Sequence, residues 1–166
     1  MSGPWDSLIL SLSKKFLFEP ELIGAIIEVE SASMNYKCRY ERNWSNFVDV
    51  PGFAKKLSIT EETETMLQKT SIGVMQVMGA VARQHKYKGD LLRLTDPFFG
   101  IYYGCTHLSW FRANFGYQDD SLISAYNAGK PRKDPQSNKY SNQTYIDKVN
   151  YWLNFYKANG VFTKKG

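Results

Sequence analysis

Glu19-Pro20-Glu21-Leu22-Ile23-Gly24-Ala25-Ile26-Ile27-Glu28-Val29-Glu30-Ser31 decides how the rest of this chain is read. Pro20 suits the first turn of a helix, where a missing N–H costs nothing. Glu19 and Glu21 favour the positive end of the helix dipole. At about 100° per residue, Leu22, Ile23, Ile26, Ile27 and Val29 share one arc of the helical wheel. Glu30 falls near the middle of that arc, one turn beyond Ile26 and Ile27, and Glu28 falls on the opposite side in line with Glu21. The helix is thus expected to carry a solvated glutamate and, two residues later, one aimed at the core. Apolar surroundings disfavour a carboxylate and raise its pKa, to roughly 6 where such groups donate protons. The competing reading is an acid at the edge of the apolar face, or close enough to the helix end to reach water.

A chain of 166 residues suits one domain with a core that needs no staples. Eleven Tyr, ten Phe and four Trp make an aromatic-rich chain, and some rings are expected on a binding surface, although a core position is the commoner explanation for any single one. The net charge of +5 favours an anionic partner: nucleic acid, an anionic membrane or a wall polymer. The cations are scattered, with only a cluster at Lys130, Arg132 and Lys133 and a Lys164-Lys165 tail. With no long basic run and no recognition motif, a nucleic-acid partner is not expected. Cys38 and Cys105 read as free thiols, their pairing left open, and His85 and His107 stand in no metal-ligand spacing, so neither metal nor cofactor is expected. No stretch reaches the length of a bilayer span. The first sixteen residues read as an amphipathic helix rather than a signal peptide. Synthesis in the cytoplasm follows as the expectation, with separate delivery to any target outside it.

Along the chain, a first helix is expected over Asp6 to Phe16, capped by Asp6 or Ser7. Residues 35–51, with Tyr36, Tyr40, Trp44 and Phe47, form a structured loop or a short sheet-like excursion. Thr60 caps a helix to about Lys69. A further helix is expected from Gly73 to about Gln84, with Gly73 letting the backbone approach a ligand. Thr95-Asp96-Pro97 starts a long apolar helix to about Asn114, whose Gly100 and Gly104 would let another helix pack closely. Asp119-Asp120-Ser121 caps a helix ended by Gly129, residues 130–143 form a polar loop, and a last helix buries Tyr145, Val149, Trp152 and Phe155 or Tyr156. The class is mainly α, in a single domain.

Three motifs now stand in order on these elements: Glu30-Ser31, Gly73-Val74-Met75-Gln76, and Ala125-Tyr126-Asn127-Ala128-Gly129, followed by Tyr145-Ile146-Asp147-Lys148-Val149. Together they resemble the soluble lytic transglycosylase (SLT) family of the lysozyme-like superfamily, over roughly Pro20 to Trp152. The resemblance implies a helical lysozyme-like domain with a groove for the glycan strands of peptidoglycan, acting as a monomer. It implies Glu30 as the sole catalytic acid and base. Ser31, Gly73, Met75 and Gln76 would line the groove, Tyr126 and Asn127 would contact the N-acetylmuramoyl sugar, and Tyr145 would stand near the acid. Met75 and Tyr145 read equally as core, and Tyr126 and Asn127 as a packed, capped helix end. Where the family commonly has a short turn between its first two motifs, about forty residues intervene here, an insertion over residues 32–72. Thr70 or Ser71 supplies the hydroxyl that many members carry before the second motif. Met78-Gly79 replaces the common Met-Pro, and Lys130 follows Gly129.

If deprotonated Glu30 takes the proton of the sugar's own C6 hydroxyl, the product is a 1,6-anhydro sugar; if it activates water, the enzyme is a muramidase. An inverting hydrolase needs a second carboxylate, for which the insertion offers Glu41, Asp49, Glu61, Glu62 and Glu64. Asp49, between Val48 and Val50, has the only apolar setting, while the Glu61 to Glu64 run reads as solvated surface. A non-catalytic glycan-binding wall protein of the same fold is the alternative from another class. Phage or prophage lysis is the expected delivery route.

Overall fold

The computed structural model describes residues 3–163, which are mainly helical: eight helices and one three-stranded antiparallel sheet. The chain divides into two compact units, Met1–Val29 with Cys105–Gly166, and Glu30–Gly104.

In the first unit, α1 (Asp6–Phe16) has the expected bounds but not the expected cap. Trp5 holds the cap position without capping the helix through its side chain, and Asp6 turns back to accept the Gly3 N–H at 2.7 Å. Leu17 ends the helix in the left-handed region, and Arg112 donates to the Phe16 and Leu17 carbonyls at 2.7 and 2.9 Å. In α2 (Pro20–Ser31), Ile23, Ala25, Ile26 and Ile27 are buried as the wheel requires. The other side of α2 is not the wet face expected: Glu21 is buried and Glu28 half-buried. A Cβ on Gly24 would meet Phe162 at 2.9 Å and Tyr156 at 3.2 Å, so aromatic rings cover that side. Burial pushes the Tyr156 hydroxyl up to about 12, with the charges of Glu28 and Asp6 adding to the effect.

The long helix α6 (Pro97–Phe115) begins with Asp96 accepting the Phe98 N–H, as its start signal predicts. α7 (Asp119–Ala128) is capped by Gln118, whose N–H bonds the Ser121 hydroxyl in a capping box, rather than by Asp119, and ends at Gly129 with φ 77°. α8 (Gln143–Asn159) packs on α7 and buries Ile146 and Val149; Tyr145, Trp152 and Tyr156 are only half-buried and Phe155 is exposed. The narrow aliphatic seam is what fits against α7, and the larger rings spill to its sides.

In the second unit, the excursion after α2 is a strand. β1 (Cys38–Tyr40) pairs antiparallel with β2 (Thr70–Ile72), which pairs with β3 (Val77–Met78). Between β1 and β2 lie α3 (Val50–Leu57), capped by Asp49, and α4 (Glu61–Gln68), capped by Thr60. The helix expected from Gly73 is instead the β2–β3 hairpin, and only α5 (Gly79–Gln84) is helical. Gly73 (φ 82°) and Gln76 (φ 48°) occupy left-handed conformations that no α-helix contains. A Cβ on Gly73 would lie 2.1 Å from the Leu94 carbonyl oxygen, so no side chain fits at this position. Gly104 likewise makes room for the Met75 sulfur, 2.4 Å from where its Cβ would be, and not for another helix.

The acidic run contains the largest departure. Glu61 and Glu62 are exposed, but Glu64 is fully buried in a two-pronged ion pair with Arg83, Nε–Oε1 2.8 Å and Nη2–Oε2 3.0 Å. Arg83 also donates to the Tyr87 and Gly89 carbonyls and lies over the Phe53 ring at 3.9 Å. Gln68 donates to Glu64 and exchanges two bonds with the Val48 backbone. These bonds join the loop before α3 to α4, α5 and the turn beyond.

Both cysteines are free thiols, Cys38 exposed and Cys105 buried, with burial pushing the Cys105 thiol up to about 12. A thiol reagent at neutral pH is expected to label Cys38 in the native protein and Cys105 only after unfolding, which mass spectrometry of the labelled chain reads directly. Glu64→Ala leaves the Arg83 guanidinium buried and uncompensated, and is expected to cost about 3–5 kcal/mol of stability in denaturant titration.

Candidate functional site

Glu30 and Ser31 are the last two residues of α2. Glu30 is half-buried, and Ser31 is fully buried with its hydroxyl donating to the Val74 carbonyl at 2.8 Å. That bond fixes the end of α2 against the hairpin turn of residues 73–76. Lys37 closes the arrangement. Its ammonium donates to the Glu30 main-chain carbonyl at 2.6 Å, at the negative end of the helix dipole, while its own carbonyl accepts from the Gly73 N–H at 2.9 Å.

Gln76 spends its side-chain Nε2 on two carbonyls, Lys37 at 2.8 Å and Gly73 at 2.9 Å. Two acceptors determine which end of the amide is nitrogen. The oxygen, Oε1, is then a buried acceptor with no hydrogen-bond partner among the described residues, on a side chain only 8% exposed. A buried acceptor left without a donor is costly and calls for an explanation in the site. Met75 is fully buried beside Gly104, so its side chain shapes the turn from within. Of the two hydroxyls before the turn, Thr70 donates to the Met66 carbonyl and Ser71 is buried in β2.

The other predicted residues gather in the first unit. Tyr126 is half-buried near the end of α7, its ring 6.0 Å from that of His107. Asn127 is exposed and its Oδ1 accepts from Asn142 at 3.0 Å. Asn142 also accepts from the Ser124 hydroxyl at 2.7 Å and donates to the Ser124 carbonyl at 3.1 Å. Its own carbonyl takes the N–H of Tyr145, which is half-buried in the first turn of α8. Asn142 therefore organises the end of α7 and the start of α8. Sequence reasoning missed it, since a single Asn at the close of a polar loop has no periodic signal; its place immediately before an expected helix was the only clue. Lys37 was missed for the same reason.

Three of the five second-carboxylate candidates have other work, and Glu61 and Glu62 are exposed. Glu41 pairs with Arg39 at 2.5 Å, Glu64 with Arg83, and Asp49 accepts the Gly52 N–H at 3.1 Å as the cap of α3. Asp49 is exposed, which corrects its expected apolar setting: its neighbours in sequence do not enclose it. Among the described residues no group of three or more His, Cys, Asp or Glu could hold a metal ion, and no helix is long and apolar enough to cross a membrane.

A family model described as "Transglycosylase SLT domain" matches residues 7–149, a span that contains Glu30-Ser31, the hairpin turn, Tyr126-Asn127 and Tyr145. The chain belongs to the SLT family. No curated protein and no solved structure gave a match. SLT domains are peptidoglycan lytic transglycosylases, and the glycan wall is accordingly the substrate class of this SLT domain. Its mainly helical make-up with one small sheet agrees with the lysozyme-like fold of the family.

Ser31→Ala in this SLT domain removes the hydroxyl that donates to the Val74 carbonyl. The expected cost is about 1–3 kcal/mol, read in urea unfolding. Lysis should fall by more than the loss of folded protein accounts for, because the end of α2 loses its fixed position.

Proposed function

We propose that this SLT domain cleaves the β-1,4 bond between N-acetylmuramic acid and N-acetylglucosamine, with Glu30 as acid and then base, releasing 1,6-anhydromuramoyl ends. The observation that carries the reading is the pinned end of α2: a half-buried glutamate held by Ser31 and Lys37 against a turn whose Gln76 keeps a buried acceptor unspent. In this reading Tyr126, Asn127 and Tyr145 bind the glycan strand.

Protonated Glu30 delivers its hydrogen to the glycosidic oxygen as the bond to the anomeric carbon breaks. Positive charge gathers at that carbon, and the oxygen of the substrate's own 2-acetamido group is placed to stabilise it. The Glu30 carboxylate then takes the proton from the C6 hydroxyl of the same sugar while O6 closes on the anomeric carbon. One bond to the anomeric carbon has replaced another, no water is consumed, and the acid is restored. Reversing the role of a single carboxyl obeys microscopic reversibility. Glu41, Asp49 and Glu64 are engaged elsewhere, and the step as written uses Glu30 alone.

Glu30→Gln is expected to keep its thermal unfolding profile and lose wall lysis by roughly 10²–10⁴-fold. Lysis by this variant at the wild-type rate would contradict the acid assignment. Mass spectrometry of muropeptides released from purified wall should show products lighter by one water and lacking a reducing end; reducing ends would make the enzyme a muramidase.

A further inference from the structure

The C-terminal half of α6 carries an aromatic row that the reaction above does not use. From Tyr126 it runs to His107 at 6.0 Å, and His107 stacks on Trp110 at 6.0 Å with an interplanar angle of 11°. Trp110 meets Phe115 edge-on at 5.2 Å, and Phe115 stacks on Tyr117 at 5.3 Å and 15°. Phe111 lies beneath, only 2% exposed, with its ring 4.5 Å from His107, 5.2 Å from Trp110 and 6.3 Å from Phe115. A buried ring thus sets the tilt of its neighbours, while Trp110 and Phe115 present 41% and 52% of their surface to solvent.

Large rings left exposed as one contiguous patch mark an interaction surface. The chemistry around them narrows the partner. The exposed residues that flank the rings in sequence are Ala113, Asn114, Gly116, Gln118 and Asp119, neutral or acidic. Arg112, the cation on this stretch of α6, is committed to the Phe16 and Leu17 carbonyls and the Phe18 ring. The residues that flank the rings in sequence offer an anionic membrane or polymer no cation besides Arg112, whose donors are already taken. An uncharged ligand with a flat C–H face and polar edges fits it: a pyranose ring.

We propose that Trp110, backed by Phe111 and flanked by Phe115, is a stacking platform for an N-acetylated sugar of the glycan strand, an additional subsite continuous with Tyr126. The proposal rests on the reading of Tyr126 as a sugar contact and adds a residue that determines how long a strand the enzyme grips. Trp110 binds substrate and takes no part in proton transfer.

The test uses the full chain in a Glu30→Gln background, with N-acetylglucosamine hexamer and dimer as probes in calorimetry. Adding Trp110→Ala is expected to weaken the hexamer about tenfold, the scale of a lost ring-stacking contact, with little change for the dimer. In the cleaving enzyme Trp110→Ala should raise KM for wall several-fold with kcat nearly unchanged, and Trp110→Phe should restore most of the loss. Unchanged hexamer affinity, or no hexamer binding by any variant, overturns the platform. So does Trp110-dependent sedimentation with phosphatidylglycerol vesicles in place of the oligosaccharide effect. If Trp110→Ala does not fold, Phe115→Ala is expected to weaken the hexamer in the same direction, and its failure to do so overturns the proposal. Persistent lysis by Glu30→Gln alone would remove the catalytic reading and leave the binding comparison standing on its own.

Discussion

The buried hydrogen bond from the Ser31 hydroxyl to the Val74 carbonyl joins positions 43 residues apart, and the candidate site in the second unit depends on it. The end of a helix leaves backbone carbonyls without partners, and this chain uses that deficit to build. Lys37 satisfies the Glu30 carbonyl with its ammonium and offers its own carbonyl to Gly73 and Gln76. Ser31 reaches sideways to the same turn. The result is a closed circuit through residues 30, 31, 37 and 73–76, in which the glutamate's backbone has little freedom.

The long insertion has its own source of rigidity. A fully buried ion pair is an expensive device, and removing one partner costs more than the pair contributes. Here the Glu64 and Arg83 charges are matched atom for atom, and the spare donors of Arg83 and Gln68 satisfy backbone carbonyls at Tyr87, Gly89 and Val48. The hairpin that carries the motif turn is flanked by these helices on both sides in sequence, α4 before it and α5 after it. Residues that looked like an acidic surface run therefore hold part of the frame on which Gln76 is presented.

Several features were legible because they are local. The bounds of α1, α2 and α6, the Thr60 cap and the left-handed Gly129 all follow from patterns within a few residues. So does the order of the four motifs that carries the family likeness. Other features were not legible, each for a nameable reason. Val74, Met75 and Val77 have helical spacing, yet Gly73 and Gln76 are left-handed and the segment is a hairpin; an apolar run of this length fits either structure, and the strand partner that decides is β1, more than thirty residues away. Glu64 reads as surface because its partner Arg83 belongs to another helix. Glu28 reads as wet because its wheel cannot show the rings that cover that side of α2.

By itself, then, the sequence determined the helical class, the family and the position of Glu30 at the end of α2, since these depend on periodicity, caps and short motifs. Only the tertiary structure decided that Gln76 keeps a buried oxygen in reserve, that Asn142 ties α7 to α8, that Asp49 is a helix cap, and that Trp110 and Phe115 stand exposed over Phe111. The division has one physical cause. Backbone preference is set by near neighbours in the chain, whereas burial and the partner of a polar atom are set by whichever distant segment folds against it.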